Sequence, residues 1–435
     1  MWVSKSLTQW LSRAHPAIVA VFAALSAFGV YFCMYAFRKP YSSAGFTGLF
    51  YLGIDYKVWL VTAQVIGYML SKFYGIRFIS GLSKGKQGVS IILLTTWAWI
   101  ALLLFALVPA PYNILFLFLN GFPLGMIWGL VFRYLEGRRA TEFMGAVMAI
   151  SFIFSSGIVK TVGKTVTANW HYSEFWMPFI TGGLFIIPLI LFTWLLNHVP
   201  PPDKEDELHR SPRLPMTKIE RIAFLKAFYP GIILAVITYS LLTILREIRD
   251  NFSNEMFTEL GFGGNAGIFS ITETRVSLIV LLFMGALVLV KNNLKAFMIN
   301  HYIIGTGYLM AITAMLLFTK NLIGPISWMT LTGTGLYLSY VPYNALYFER
   351  MIATYKIRAN VGFVMYIADA FGYLGSVLVL FMREFFALNV SWVKFYSGML
   401  IAVCTIGFIG NFITAIYFRN KYYQTPSTKT LEHAT

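Results

Sequence analysis

The sequence predicts an all-α membrane protein in which twelve transmembrane helices form two pseudo-symmetric six-helix bundles. Its 435 residues are 58% hydrophobic and only 12% charged, which is more apolar than the core of a soluble domain can accommodate. The apolar residues recur in blocks long enough to cross about 30 Å of hydrocarbon as helices. Related features also recur in the two halves of the chain, about 210 residues apart.

Each apolar block is predicted to be a helix, because a segment inside a bilayer has to pair its own backbone groups. The first block follows a polar start and lacks an obvious signal-peptidase site, so we expect it to remain in the mature protein. The twelve blocks are residues 17–37, 58–78, 88–108, 113–134, 143–163, 175–197, 228–248, 265–290, 297–318, 324–347, 360–381 and 394–418.

The distribution of basic residues predicts the orientation. With these spans, the termini and the even-numbered loops hold 20 Lys and Arg residues, whereas the odd-numbered loops hold seven. Since basic residues concentrate on the cytoplasmic side, we expect both termini in the cytoplasm. The protein is then a multi-pass protein of the cell membrane, which in a bacterium is the inner membrane.

One polar stretch, "NHVPPPDKEDELHRSPRLPMTKIERIAF" at residues 197–224, separates the sixth and seventh spans. Three consecutive prolines and a mixed run of charges are typical of a linker. We therefore expect an N-terminal six-helix bundle at residues 1–197, a cytoplasmic linker at 198–224, and a C-terminal bundle with a short cytoplasmic tail at 225–435.

The two halves share local sequence features. "YLEGRRAT" at 134–141 follows the fourth span and "YFERMIAT" at 347–354 follows the tenth, with Tyr, Glu, Ala and Thr at the same offsets. Arg38 and Arg246 end the first span of each half and are 208 residues apart. This duplication predicts two bundles around a cavity near the middle of the membrane. The arrangement resembles the major facilitator superfamily, and the resemblance implies a rocker-switch transporter.

Two interpretations of Arg38 and Lys39 are open. Both cations could snorkel from the end of span one toward lipid headgroups. Alternatively, Arg38 and Arg246 face one another across the cavity and form a bidentate clamp for phosphate or carboxylate. The second interpretation is favoured because these cations lie on the charge-poor outer side and because the duplicated position carries one too.

Four short motifs resemble the organophosphate:phosphate antiporters, which include transporters of glycerol-3-phosphate and hexose phosphates. They are "YFCMYAFRKP" in span one, Tyr68 followed by "SKF" in span two, "LREIRDNFSNEMF" in span seven and "FGYLGS" in span eleven. The resemblance implies that Arg38 and Arg246 bind the phosphoryl group and that Lys39 and Lys72 make the cavity positive. Aromatic residues that could line an organic moiety are Tyr31, Tyr35, Tyr68, Trp128, Tyr340 and Tyr343.

The sequence departs from this family at two places. The family's histidine in span five has no counterpart, since "ISFIFSSGIVK" offers only Phe and Ser there. The Asp-Arg pair that many facilitators place after span two is also missing from "YGIRFISGLSKGKQG". We therefore expect substrate coupling and the cytoplasmic gate to use other residues.

Charges inside or beside the predicted spans are candidates for coupling or gating, because each costs about 2.5–3.5 kcal/mol on insertion scales. Glu247 and Asp250 could neutralise the neighbouring arginine until substrate displaces them, or could close the outer gate. Glu273 and Arg275 in span eight are expected to make structural or gating contacts. Asp369 in span eleven is predicted to be either a proton or cation site or the partner of a cavity cation.

The motifs predict no enzyme, metal or cofactor. The sequence has no P-loop, nucleophile elbow or HExxH motif, and its six histidines lack metal-ligand spacing. Its basic residues follow the membrane rather than forming a nucleic-acid surface. The expected partners are a small anionic substrate and the lipid bilayer, and we expect a monomer.

The predicted function is secondary active transport of a small organic anion, phosphorylated or carboxylated, by alternating access around Arg38 and Arg246. The family resemblance implies an anion antiporter, and a proton symporter of the same anion stays open. Two alternatives remain open. The protein could be a transporter-like membrane sensor of the same ligand, or a proton-coupled transporter of a peptide, amino acid or drug-like compound, in which Glu273 and Asp369 would matter more than Arg38.

Overall fold

The computed structural model describes residues 4–82, 85–202, 206, 218–355, 361–386 and 390–424. These residues are mostly helical. The helices are Lys5–Arg13 (α1), Pro16–Tyr35 (α2), Tyr56–Gly81 (α3), Gln87–Leu107 (α4), Ile114–Leu124 (α5), Ile127–Leu135 (α6), Thr141–Ala168 (α7), Met177–Leu184 (α8), Ile186–Leu196 (α9), Lys218–Asn251 (α10), Ser253–Glu259 (α11), Ile268–Val288 (α12), Asn293–Thr319 (α13), Pro325–Pro342 (α14), Phe348–Tyr355 (α15), Val361–Phe385 (α16) and Trp392–Gln424 (α17).

A helix or a broken helix lies at each of the twelve predicted spans. In the described chain, eight helices are long and apolar enough to cross a membrane, with α5 and α6 counted as one helix. The number is nine if the bent pair α8 and α9 also forms one span. The protein is therefore a multi-pass membrane protein. Twelve crossings are not fully confirmed, because α3, α14 and α16 fall outside this set.

Prolines account for the breaks within several spans. Pro123 lies in the last turn of α5, where the missing N–H and the ring disturb the helix before α6 begins. Pro188 follows the junction of α8 and α9, whose axes differ by 43°. Pro342 ends α14 and is followed by a π-helical turn at Tyr343–Tyr347. Bends of this kind shape the helices around the interior of the bundle.

A short hairpin that the helix pattern does not predict connects α2 to α3. Its strands are Phe50–Tyr51 (β1) and Ile54–Asp55 (β2), paired antiparallel. The two residues between them, Leu52 and Gly53, both have positive φ, which is the geometry of a type I′ turn. Asp55 then caps α3 by accepting a hydrogen bond from the Lys57 backbone N–H at 2.8 Å.

The two halves of the chain meet along two seams. Helix α7 packs along α12, and α3 packs against α16. Within the second half, α13 packs against α14 and α17. The seams run past the C-terminal ends of α2 and α10, where the predicted arginine pair lies.

Most of the predicted linker lies outside the described residues, as does the tail beyond residue 424. Asp206 within the linker is described and contacts Arg139 in the loop before α7, with Oδ1 3.4 Å from Nε. The division into residues 1–197, 198–224 and 225–435 stays a prediction.

Candidate functional site

Arg38 and Arg246 converge on one carboxylate. Arg38 follows the end of α2, and Arg246 lies near the end of α10. The Nη2 atom of Arg246 donates to Glu247 Oε1 at 2.6 Å, and the Nη2 atom of Arg38 lies 4.0 Å from the same oxygen. The Nε atoms of both arginines have no hydrogen-bond partner in the described chain, although both side chains are buried. Both guanidinium groups therefore keep unused donor capacity beside the carboxylate they share.

Lys39 is turned toward the second half of the protein. Its Nζ lies 2.6 Å from Asp250 Oδ2 and donates to Asn251 Oδ1 at 2.9 Å. From α7, Lys160 donates to Asp250 Oδ1 at 2.6 Å, and the Ser156 hydroxyl donates to the same oxygen. Asp250 thus joins the end of α2, the middle of α7 and the end of α10.

These contacts form a connected set of buried charges, which we call the central cluster. All members are at most 5% exposed. Four cations minus two carboxylates leave an excess of two positive charges, whereas the neighbouring pairs Lys72–Asp369 and Arg249–Glu273 are each neutral. Because an uncompensated buried charge is costly, such an excess favours an anion. The central cluster consists of Arg38, Lys39, Lys160, Arg246, Glu247 and Asp250.

Tyrosine rings cover the two guanidinium groups. The Arg38 Cζ atom lies 3.8 Å from the centre of the Tyr68 ring and 5.8 Å from that of Tyr35. The Arg246 Cζ atom lies 4.8 Å from the Tyr340 ring centre. A cation over an aromatic face is stabilised by the ring quadrupole without being neutralised. The tyrosines therefore hold the arginines in place and leave their positive charge available.

The predicted coupling residue Asp369 is paired. Lys72 of α3 forms an ion pair with Asp369 of α16, and the Tyr239 hydroxyl donates to Asp369 Oδ1 at 2.5 Å. The Lys72 Nζ also lies 5.1 Å from the Tyr373 ring, whose hydroxyl accepts a hydrogen bond from Arg246 Nη2 at 3.3 Å. Of the two predictions for Asp369, the structure shows the contact with a cavity cation, and that contact bridges the two halves.

Glu273 and Arg275 have different surroundings. Glu273 Oε1 accepts from Arg249 Nη2 at 2.8 Å, so this buried acid has a structural partner. Arg275 is exposed on the surface of α12. Residues two apart point to nearly opposite sides of a helix, which explains the difference. Arg275 therefore lies away from the central cluster, and a gating role for it stays a prediction.

Tight contacts join the two halves at the level of the cluster and on the side of it where Lys57 lies. A Cβ atom added at Gly157 of α7 would lie 2.6 Å from Glu273 Cβ and 2.8 Å from the Phe269 carbonyl oxygen, so α7 and α12 approach as closely as glycine permits. Lys57 donates to Glu255 Oε1 at 2.5 Å across the two halves. Burial raises the pKa of the Glu255 carboxyl, and the Lys57 ammonium opposes that rise.

A second contact between the halves lies on the opposite side of the cluster. Arg350 of α15 donates to Glu142 Oε2 at 2.6 Å near the start of α7, and to Asn293 Oδ1 at 2.8 Å. This ion pair joins the start of α7 to α15, whereas the sequence after span two lacks the Asp-Arg pair of many facilitators. With contacts on both sides, the central cluster is enclosed within the described chain.

Several residues of this site are not among the predicted binding and coupling residues, although Lys160 is a charge in span five for which a function or a partner is expected. Lys160 and Ser156 lie one turn apart on α7, and a lysine within a span is itself a signal for such a site. Tyr239 is seven residues before Arg246, and Asn251 is four after Glu247, so helical spacing places each pair on one face. The helical periodicity around Arg246 and Glu247 is therefore the signal that identifies Tyr239 and Asn251 as neighbours of the site.

The family comparison covers most of the chain. Residues 40–421 match the model of a family of unknown function, DUF5690. No curated protein shows significant similarity to the sequence.

The structure is similar to solved transporter structures over nearly its whole length. The nucleoside transporter NupG has a TM-score of 0.56 at 17% identity, with 94% of this chain and 100% of that chain covered. The D-xylose-proton symporter has a TM-score of 0.58 at 15% identity, with 92% and 96% covered. The POT family transporter PepTSo has a TM-score of 0.56 at 13% identity, with 95% and 99% covered.

At these identities the likeness shows the fold that this chain shares with those transporters and leaves the substrate open. The closer resemblance to organophosphate:phosphate antiporters stays a prediction. With its match over residues 40–421, the chain belongs to the DUF5690 family, and its fold is similar to that of the solved transporters.

Proposed function

We propose that the protein is a secondary active transporter of a small organic anion, phosphorylated or carboxylated, which it moves by alternating access around Arg38 and Arg246. The observation that carries the proposal is the buried excess of two positive charges in the central cluster, together with two arginines at one carboxylate oxygen. A substrate with two negative charges would neutralise that excess, and one with a single negative charge would halve it.

The position of Glu247 suggests how binding could be coupled to movement. Its carboxylate holds the place between the arginines that a substrate anion would take, since Oε1 is 2.6 Å from Arg246 and 4.0 Å from Arg38. An incoming phosphoryl or carboxylate group offers the same oxygen chemistry and can replace it. Glu247 also contacts Lys39 at 3.7 Å, so its displacement would loosen a contact that joins the halves.

The pair formed by Lys72 and Asp369 is the second element of the proposal. It bridges the halves and lies one tyrosine away from Arg246. A change at the anion site would therefore reach this pair through Tyr373. Protonation of Asp369 would release Lys72 and leave a further cation facing the cavity, which gives a route to proton coupling.

The neighbouring folds support transport as the activity class. The similar solved structures are those of a nucleoside transporter, a D-xylose-proton symporter and a POT family transporter. Their substrates differ, so the anionic substrate proposed here is inferred from the central cluster alone.

The test is uptake into proteoliposomes with inorganic phosphate, a phosphomonoester and a dicarboxylate as separate probes. We expect saturable uptake of at least one probe and loss of that uptake in Arg38→Lys and Arg246→Lys, because an ammonium cannot replace the planar guanidinium fork. Binding measured by calorimetry on the same proteins separates a transporter from a sensor, since a sensor would bind without flux. Wild-type uptake and affinity in both lysine variants would refute the proposal.

A further inference from the structure

A groove lies on the surface of the helix bundle in the second half of the chain, between α13 and α17. Its volume is about 340 Å³, within the range of ligand pockets. The walls are mainly apolar and include Tyr302, Phe412 and Ile416, which are exposed on helices that can cross the membrane. The groove therefore opens toward the bilayer and lies apart from the central cluster.

The groove has a rigid floor. His301 Nδ1 lies 2.8 Å from Asn411 Oδ1, and the Asn411 side chain donates to the His301 carbonyl oxygen at 2.9 Å. Both residues line the groove and both are buried. This reciprocal pair ties α13 to α17 directly beneath the opening.

The polarity of the groove changes along its length. On α17 the lining residues Phe408, Phe412, Ile416 and Arg419 recur at intervals of three or four residues and so share one face. Eleven residues separate Phe408 from Arg419, a rise of about 16 Å in a helix. That is about half of the 30 Å hydrocarbon thickness, so the apolar wall matches one leaflet.

A cation marks the end of the groove nearest the membrane surface. Arg419 is exposed and is the first charged residue after the apolar block that ends at residue 418. Lys295 is also exposed and precedes the lining residue Met298 by three positions, which puts it on the same face of α13 at the same end. Within the described chain, neither cation has an ion-pair partner.

We infer that this groove binds one anionic phospholipid, with its phosphate at Arg419 and Lys295 and an acyl chain along the wall from Ile416 to Phe408. Positive charge at the headgroup level complements the lipid phosphate, and each basic residue near an anionic membrane surface contributes about 1 kcal/mol. The apolar length complements the acyl chain. The inference does not depend on the transported substrate.

The experiment uses the full-length protein in detergent with dioleoyl phosphatidylglycerol and dioleoyl phosphatidylcholine as probes. Native mass spectrometry counts the retained lipids, and thermal unfolding measures stabilisation. We expect one tightly retained phosphatidylglycerol, with affinity about fivefold lower in Arg419→Gln. Thr306→Trp fills the groove from an exposed lining position and should weaken retention of both lipids.

The matched control is Lys226→Gln, which removes an exposed cation near the start of the membrane-spanning part of α10, outside the groove. It should retain phosphatidylglycerol like the wild type. Equal retention by Arg419→Gln and Lys226→Gln would overturn the inference. A Thr306→Trp protein that changes from dimer to monomer while its lipid binding stays the same would also overturn the inference. The groove would then hold a second copy of the chain. Size-exclusion profiles of all variants verify that each is folded.

Discussion

Replacing Glu247 with Gln tests whether this side chain competes with the transported anion. The substitution keeps the shape of the side chain and removes its charge. The carboxylate makes a 2.6 Å contact with Arg246, lies 3.7 Å from Lys39 and 4.0 Å from Arg38, and accepts from Asn251 at 3.0 Å. The excess of positive charge in the central cluster would rise from two to three, since one of its two acids is lost.

The substitution has two opposing effects, one on the stability of the protein without ligand and one on its affinity for the anion. Without ligand, Arg246 loses its charged partner, and breaking a buried pair in this way costs about 3–5 kcal/mol of stability. With ligand, the anion no longer has to displace a charge-assisted hydrogen bond, which is worth about 1.5–3 kcal/mol. Since about 1.4 kcal/mol is a factor of ten, the affinity for the anion should rise by about ten- to a hundredfold.

Calorimetry measures the affinity for phosphate, a phosphomonoester and a dicarboxylate, and thermal unfolding with and without each probe measures the stability. Glu273→Gln is the matched control, because it also removes a buried acid from an arginine, Arg249, which lies outside the central cluster. It should lose stability without gaining affinity. An affinity in Glu247→Gln that is unchanged or lower would refute the competition and make Glu247 a structural partner of the arginines.

Three further predictions concern the pair of arginines, the coupling residue and the outer closure. The double variant Arg38→Lys with Arg246→Lys should lose less binding free energy than the sum of the single variants, because both residues act on one anion; additivity in calorimetry would contradict this. Asp369→Asn should abolish uptake driven by a pH gradient while counterflow continues, and unchanged gradient-driven uptake would leave Asp369 with a structural role. Gly157→Leu should push α7 away from α12, because even a Cβ would lie 2.6 Å from Glu273, and should increase labelling of a cysteine at Asn251→Cys by an impermeant thiol reagent added outside. Labelling equal to that of Asn251→Cys alone would show that the close approach does not maintain the closure.

The positions of the membrane helices could be predicted from the sequence because hydrocarbon acts on every span in the same way. A segment in the bilayer must be apolar, must pair its backbone internally and must be about 20 residues long. Each predicted span accordingly contains a helix, although α10 begins at Lys218, ten residues before the predicted start at residue 228. The hairpin at Phe50–Tyr51 and Ile54–Asp55 escaped prediction because it depends on two turn residues rather than on a periodic pattern.

The positions of the charges along the chain identified Arg38 and Arg246 as candidates. A cation within a membrane protein costs free energy, so a cation at both duplicated positions indicates a function. The pairing of these charges could not be read from the sequence. Glu273 contacts Arg249 and not a cavity cation, while Lys72 contacts Asp369 at a distance of 297 residues along the chain. The sequence contains many cations and acids that could form ion pairs. Only the packing of α7, α10, α12 and α16 determines which of these pairs form.

The sequence by itself determined a helical membrane protein with two related halves and a positive interior, because composition and spacing alone carry those properties. Only the tertiary structure decided that both arginines meet at the carboxylate of Glu247, that Lys160 contacts Asp250 from α7, and that Arg275 lies outside the central cluster. The physical reason is distance. Electrostatic interaction between charges depends on separation in space and on burial, and both quantities are set when helices far apart in sequence pack against one another.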